Sequence, residues 1–464
     1  MPTAAGDPAR EELFARLAAD FGDRFTRNPT VREQHGRGEA HDLLAPPDAV
    51  VFPRATSEVA EIVRLCARFR CPVVPFGTGT SLEGHVAAVE GGICLDLSGM
   101  NRILEVHPED MDARVEAGVT RGQLNRHLAD QGLFFSVDPG ADASLGGMAA
   151  TRATGTNTVR YGGMRENVLS LTVVLPDGRV IRTGGRARKS AAGYDLTRLF
   201  LGSEGTLGVI TELCVRLWPI PECIAAAVCS FPSLAAAVGA VVETMQCGVP
   251  VARIELLDER QMEACIAFGG LEEFEAAPTL FLEFHGSERA VREQAAMVGE
   301  IVGGHGGSDF RWALRAEERN RLWRARHDAY FAALRLRPGA RAWVSDVCVP
   351  VSALAATVLE TRRWIEEAGL TATIVGHVGD GNFHVIFLLD PEDEEEQRRV
   401  QAVNARMVAR AIAVGGTCTG EHGIGLGKKE SLRAELGEAV EVMRALKRAL
   451  DPAGIMNPGK IFDL

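Results

Sequence analysis

The chain has no Cys-x-x-Cys pair, only five lysines, only three tyrosines and no long, strongly apolar run. Its ten cysteines are scattered at 66, 71, 94, 214, 223, 229, 247, 265, 348 and 418. In a chain of this size they predict reduced thiols in a cytoplasm rather than a disulfide framework. The remaining bases are arginines, and Asp+Glu exceed Lys+Arg by 62 to 50, for a net charge of −12. No basic stripe forms, which argues against a nucleic-acid groove. Residues 1–35 carry charges of both signs and no apolar segment, so we expect neither a secretory signal nor an acid-poor transit peptide. The twenty uncharged residues Cys223–Val242 are rich in alanine and are divided by Pro232-Ser233. They predict a buried strand over 224–231 and a helix over 233–246, not a transmembrane segment.

Glycine is plentiful instead, at 50 of 464 residues. It clusters at 77–84, 140–163 and 202–208, among strand-like runs at 72–76, 92–97 and 169–175. Pro176-Asp177-Gly178 then predicts a hairpin into 179–182. Helical patterns lie at 56–68, with Ser57 as the expected cap, and at 120–131. Beyond Trp218-Pro219 longer helices are expected over 233–246, 317–336, 351–368, 391–414 and 438–450, alternating with strands at 279–284, 342–349, 371–378 and 383–389. Asp390 is the expected cap of the 391–414 helix, whose acidic first turn suits a helix dipole. At roughly 150 residues per domain the length gives a prior of about three domains. The expected division is an N-terminal helical extension, 1–48, a Gly-rich α+β domain, 49–219, an α/β substrate domain, 220–418, and a C-terminal segment, 419–464.

Phe76-Gly77-Thr78-Gly79-Thr80-Ser81 follows an apolar strand, and its backbone N–H groups and hydroxyls suit a diphosphate. It is neither a Walker loop nor the Rossmann fingerprint, and alone it reads equally well as a turn. Asp138–Ala150, continuing to Gly155 and Gly163, is a second small-residue run, and Ser203–Ile210 is a third. Three such runs within one domain favour the wall of a flat, extended dinucleotide.

His377-Val378-Gly379-Asp380-Gly381-Asn382-Phe383-His384 reads as strand, turn, strand. With Asp380-Gly381 as a two-residue turn, His377 falls directly opposite His384, with Cβ atoms about 4.5–5.5 Å apart on one face. Paired imidazoles suit Zn, Mn, Fe or Ni, and Glu421 is the best third ligand. The alternative is a cross-strand pair satisfied by its neighbours. His422 beside Glu421 is a candidate general base or a cofactor contact. Arg326, spaced three and four from Trp323 and Tyr330, is a candidate carboxylate clamp or a snorkelling surface arginine.

Seven motifs occur together: 75–80, 137–144, 189–194, 202–208, 377–384, 416–425 and 457–460. In combination they resemble the vanillyl-alcohol-oxidase or PCMH-type flavoproteins, in particular the FAD-dependent D-lactate dehydrogenase (cytochrome) family, near the glycolate oxidase flavin subunit and D-2-hydroxyglutarate dehydrogenase. The resemblance runs from about Pro47 to Phe462. It implies an α+β fold: a PCMH-type FAD-binding domain, a cap domain with an antiparallel sheet, and a C-terminal tail returning to the FAD. It further implies noncovalent FAD held by Phe76, Gly77, Thr78, Gly79, Thr80, Ser81, Pro139, Gly140, Ala143, Ser144, Gly147, Met148, Thr151, Ala153, Gly155, Val209, Ile210 and Asn457. His377, His384 and Glu421 match the family's ligands to a divalent metal (Zn, Mn or Fe), and Arg326, Asn382 and His422 match its substrate-site positions. His85 and Arg152 stand where relatives often have glycine, and Val344 stands where the 2-hydroxyglutarate enzymes have lysine, which favours a monocarboxylate. The implied activity is oxidation of a D-2-hydroxy acid, best D-lactate to pyruvate, by hydride transfer to flavin N5. Electrons would then pass to a cytochrome or quinone. The family leaves room for a glycolate or 2-hydroxyglutarate substrate, for a homodimer and for peripheral contact with the inner face of a membrane. A flavin-dependent ether-lipid synthase is the non-redox alternative on the same fold.

Overall fold

The structure is a computed structural model that describes residues 8–38, 43–269, 271 and 273–464. The parts of the expected N-terminal extension at 1–7 and 39–42 lie outside the described residues. The chain forms two units. The first comprises Met1–Thr154, Gly163–Ile220 and Glu421–Leu464, and the second Gly155–Gly162 and Pro221–Gly420.

In the first unit Ala49–Val51, Ile93–Asp96 and Val73–Phe76 pair in parallel, and Phe25–Thr26 adds an antiparallel edge. Helix Thr56–Arg68 links the outer two parallel strands and buries Val59, Ile62, Val63 and Cys66, the three-and-four spacing of one helical face. Its cap position is Ala55, not Ser57, and no side chain caps it. A second, antiparallel sheet has the order Ile103–His107, Asp112–Glu116, Val209–Arg216, Val168–Val174, Val180–Arg182. The two sheets and the helix share one apolar core. The tail returns to this unit. The Val73 N–H donates to Ile455 O (2.8 Å), and the Asn457 N–H donates to Val73 O (2.8 Å).

The second unit is built on one antiparallel sheet, ordered Ser308–Ala313, Cys223–Ser230, Thr279–Gly286, Val251–Leu257, Ala372–His377, Asn382–Leu389, Arg341–Val344, with Val347–Cys348 also on Asn382–Leu389. Strand alternation puts Ala225, Ala227, Leu282, Ile254, Ile374, Val385 and Phe387 on one buried face. The opposite face carries Val228, Phe281, Leu257, Val375 and Ile386, which pack with Glu259–Phe268, Ala316–His327 and Ala329–Arg335. Further along the strands that face turns polar, and there the candidate site lies.

The uncharged run becomes strand Cys223–Ser230 and helix Leu234–Gln246, capped by Ser233. Among the described residues no helix is long and apolar enough to cross a membrane. Three expected elements differ. The 317–336 helix is two, broken at Asp328, where Gln261 Nε2 donates to the Ala329 carbonyl (2.9 Å). The 391–414 helix starts at Glu394, capped by Asp393 rather than Asp390, because Asp393 Oδ1 accepts from the N–H groups of Glu395 and Glu396. The 342–349 strand is interrupted at Ser345-Asp346, whose side chains turn to other partners.

Candidate active site

His377 ends one strand of the hairpin and Asn382 starts the next, and these two residues are paired. The turn is therefore four residues, 378–381, not the two-residue Asp380-Gly381 turn. Gly381 has φ +80°, and a Cβ there would lie 1.9 Å from the Val349 carbonyl oxygen, so only glycine fits. His384 then faces Val375, two residues from His377. The imidazoles are diagonal rather than opposed, yet they share a face, with ring centroids 5.5 Å apart.

Both rings are held by their Nδ1 side. His384 Nδ1–H donates to the Ser345 carbonyl (3.1 Å). His377 Nδ1–H donates to Glu255 Oε1 (2.7 Å). A carbonyl and a carboxylate only accept, so each ring carries its proton on Nδ1 and keeps the Nε2 lone pair for another partner. Glu421 follows Gly420, the last residue of the second unit, whose N–H is bonded to Asp346 Oδ2 (2.9 Å). One ligand atom from each of His377, His384 and Glu421 lies within 4.8 Å of the others. Two neutral imidazoles and a carboxylate are a fitting donor set for a divalent transition metal.

Glu255 and Asp346, both buried, organise this face, and the sequence reading passed over both. Glu255 Oε2 accepts from Arg326 Nε (2.9 Å) and lies 2.8 Å from Nη2. Burial pushes the Glu255 carboxyl up, but His377 and Arg326 outweigh it and hold it below the ordinary glutamate range. Asp346 takes Asn382 Nδ2 (2.8 Å), Thr419 Oγ1 (2.7 Å) and the Gly420 N–H. Asn382 Nδ2 also donates to Val347 O (2.8 Å), and its Oδ1 is buried without a partner among the described residues. Alternating charges in an apolar strand, Arg253 and Glu255 within Val251–Leu257, were the signal that could have found this face. Arg253 bonds Asn157 Oδ1 (2.9 Å) and lies 3.5 Å from Glu283, and Glu283 in turn holds His285 (2.7 Å).

Arg326 thus lies over the histidine face, as does Trp323, which contacts Phe281. Tyr330 lies beyond the helix break and is exposed, so it does not join them. Val344 pairs with Ile386 and borders the same face as His384.

In the first unit Phe76 ends its strand, and no backbone N–H of residues 77–81 donates to a protein acceptor among the described residues. Gly77 lies so close to Ser144 that a Cβ would stand 2.3 Å from its Oγ. The structure therefore brings together the loop over 76–81 and Ser144, which caps the helix Leu145–Thr151 holding Gly147, Met148 and Thr151. Pro139, Gly140 and Ala143 precede that helix, and Ala153 follows it. Val209 and Ile210 begin a buried strand. Gly155 falls in the second unit. Asn457 Nδ2 donates to Glu204 O (2.7 Å) and His85 O (3.2 Å), while its Oδ1 is buried without a partner among the described residues. Open amide donors, small side chains and a buried orphan acceptor fit a polar, extended cofactor such as FAD. Glu204 also accepts from the N–H groups of Ile424 (2.7 Å) and Gly425 (2.8 Å), fixing the loop after His422. His422 Nε2 lies 3.8 Å from Glu421 Oε1. His85 is buried 3.3 Å from Glu204, and Arg152 takes a left-handed conformation at a helix end, bonding Leu201 O (2.8 Å).

Comparison with known proteins agrees with both units. Residues 47–184 match the family model described as an FAD binding domain, and residues 220–461 match that of FAD linked oxidases, C-terminal domain. A Danio rerio protein named as a probable mitochondrial D-lactate dehydrogenase is 55% identical over 98% of this chain and 93% of its own length. The mitochondrial D-lactate dehydrogenase (cytochrome) of Arabidopsis thaliana is 46% identical over 97% of this chain and 80% of its own. The 4-ethylphenol oxidase of Gulosibacter chungangensis superposes with a TM-score of 0.80 at 20% identity, covering 100% of this chain and 99% of that one, which shows the shared fold. The chain belongs to the FAD-linked oxidases and, among them, to the D-lactate dehydrogenase (cytochrome) family, and is therefore an FAD-dependent oxidoreductase.

Proposed function

We propose that the protein oxidises a D-2-hydroxy acid, with D-lactate as the substrate and pyruvate as the product, at a divalent metal held by His377, His384 and Glu421. The observation that carries this reading is the pairing of two Nε2-presenting imidazoles with a carboxylate, on the sheet face over which Arg326 lies. Arg326 spends Nε–H and one Nη2–H on Glu255 and keeps its other N–H groups to bind the substrate carboxylate. Asn382, its amide anchored on Asp346 and the Val347 carbonyl, stands on the histidine face and lines the substrate position. His422 takes the hydroxyl proton, a general-base role suited to an imidazole. The metal would act as a Lewis acid toward the hydroxyl oxygen. FAD, held by the loops at 76–81 and 143–155 and by Asn457, would supply the two-electron acceptor. A cytochrome as the next acceptor agrees with the names of the relatives. Val344 puts an apolar wall beside the histidine face, which favours a monocarboxylate.

The test is anaerobic mixing of the FAD-loaded protein with D-lactate, L-lactate, glycolate and D-2-hydroxyglutarate, following loss of the oxidised flavin absorbance. D-lactate should reduce the flavin fastest, with at least a tenfold preference over its enantiomer (about 1.4 kcal/mol). Equal rates with both enantiomers, or faster reduction by the dicarboxylate, would overturn the substrate reading.

A further inference from the structure

We infer that Glu255 is a positioning residue that ties the metal ligand His377 to the substrate arginine Arg326, so that one buried carboxylate sets both halves of the site. This rests on the reading proposed above and deepens it. Glu255 sits in strand Val251–Leu257 with none of its side chain exposed. It divides its oxygens. Oε1 accepts from His377 Nδ1 (2.7 Å), while Oε2 accepts from Arg326 Nε (2.9 Å) and stands 2.8 Å from Nη2.

The division has two consequences. Because a carboxylate can only accept, His377 is held in the tautomer whose Nε2 bears a lone pair, the form a metal requires. Arg326 is held by its Nε edge, so its remaining N–H groups have a fixed direction. Glutamine at 255 cannot serve both partners. If its oxygen faces Arg326, its NH2 faces His377 Nδ1 and forces the proton to Nε2, where it blocks a ligand. If the amide turns over, two donors meet at Arg326 and the guanidinium must move. Aspartate keeps the charge but is one methylene shorter and cannot span both partners.

Glu255→Gln and Glu255→Asp, each with bound FAD, should be titrated calorimetrically with Zn²⁺ or Mn²⁺ in the absence of substrate, beside wild type and His384→Ala. The expected result is weakening of metal affinity by about tenfold or more in Glu255→Gln and a smaller loss in Glu255→Asp, with unchanged FAD content. KM for the hydroxy acid should rise in the same variants. Wild-type metal affinity and KM, within about twofold, in both variants would overturn the inference. Wild type behaving like His384→Ala would instead overturn the metal reading itself, so the two failures are separate. If Glu255→Gln loses its FAD, the comparison rests on Glu255→Asp alone, and an unchanged affinity there overturns the inference.

Discussion

At the scale of single residues, many polar groups of the two units are buried and held by protein partners, while Asn382 Oδ1 and Asn457 Oδ1 are buried without one among the described residues. Lys460 belongs to the tail that returns to the first unit, and its Nζ donates to Ala87 O (2.7 Å) and Pro458 O (3.3 Å). Burial lowers its pKa from 10.5 to about 8. Below about pH 8 folded and unfolded chains both hold the proton, and the cost of burying an ammonium is fully present. Between about 8 and 10.5 the native lysine is neutral while the unfolded one keeps its proton, so stability rises with pH. Urea midpoints at pH 7.5 and 9.5, about half a unit below and well above that shifted value, should show wild type gaining on the order of 2 kcal/mol relative to Lys460→Met. A wild type that gains nothing on Lys460→Met over that interval would refute the assignment.

At the scale of elements, the histidine hairpin depends on its turn. Gly381→Ala places a methyl against the Val349 carbonyl and strains a left-handed residue, and the Val349 N–H that donates to Gly381 O (3.0 Å) would be disturbed with it. We expect a loss of about 2–4 kcal/mol in denaturant unfolding, together with lost metal affinity. Gly415→Ala, also at positive φ but with open space around its Cβ, should cost only about 1 kcal/mol. Equal costs at the two glycines would show that the turn is not the constraint. The hairpin also marks how far the sequence could be read. Alternation, the turn residues and the two histidines were legible, because a shared face needs only period-two counting. The turn length was not, because Gly381 is shaped by the distant Val349. Strand Val251–Leu257 was missed for a related reason: its two charges break the apolar run, and only partners distant in sequence explain them, Arg326 and His377 for Glu255 and Asn157 and Glu283 for Arg253. Helix starts failed where a neighbouring carboxylate, Asp393 rather than Asp390, made the capping bonds. The Gly-rich runs were legible as signs of an FAD-binding domain, in line with the match over 47–184, while the part Glu204 plays in holding the loop after His422 was hidden in what read as a small-residue turn.

At the scale of the whole molecule, one chain supplies a Gly-rich FAD-binding unit and a second unit whose sheet carries the paired histidines. The central claim is that oxidation of the hydroxy acid needs the metal those histidines hold. The most direct measurement strips metal from the FAD-loaded protein with a chelator, adds Zn²⁺ or Mn²⁺ back in steps and follows anaerobic flavin reduction by D-lactate. The account predicts that stripped protein keeps its FAD but does not reduce it, that reduction returns in proportion to metal up to one ion per chain, and that His384→Ala is not rescued. Full flavin reduction by protein shown to hold no metal would contradict it.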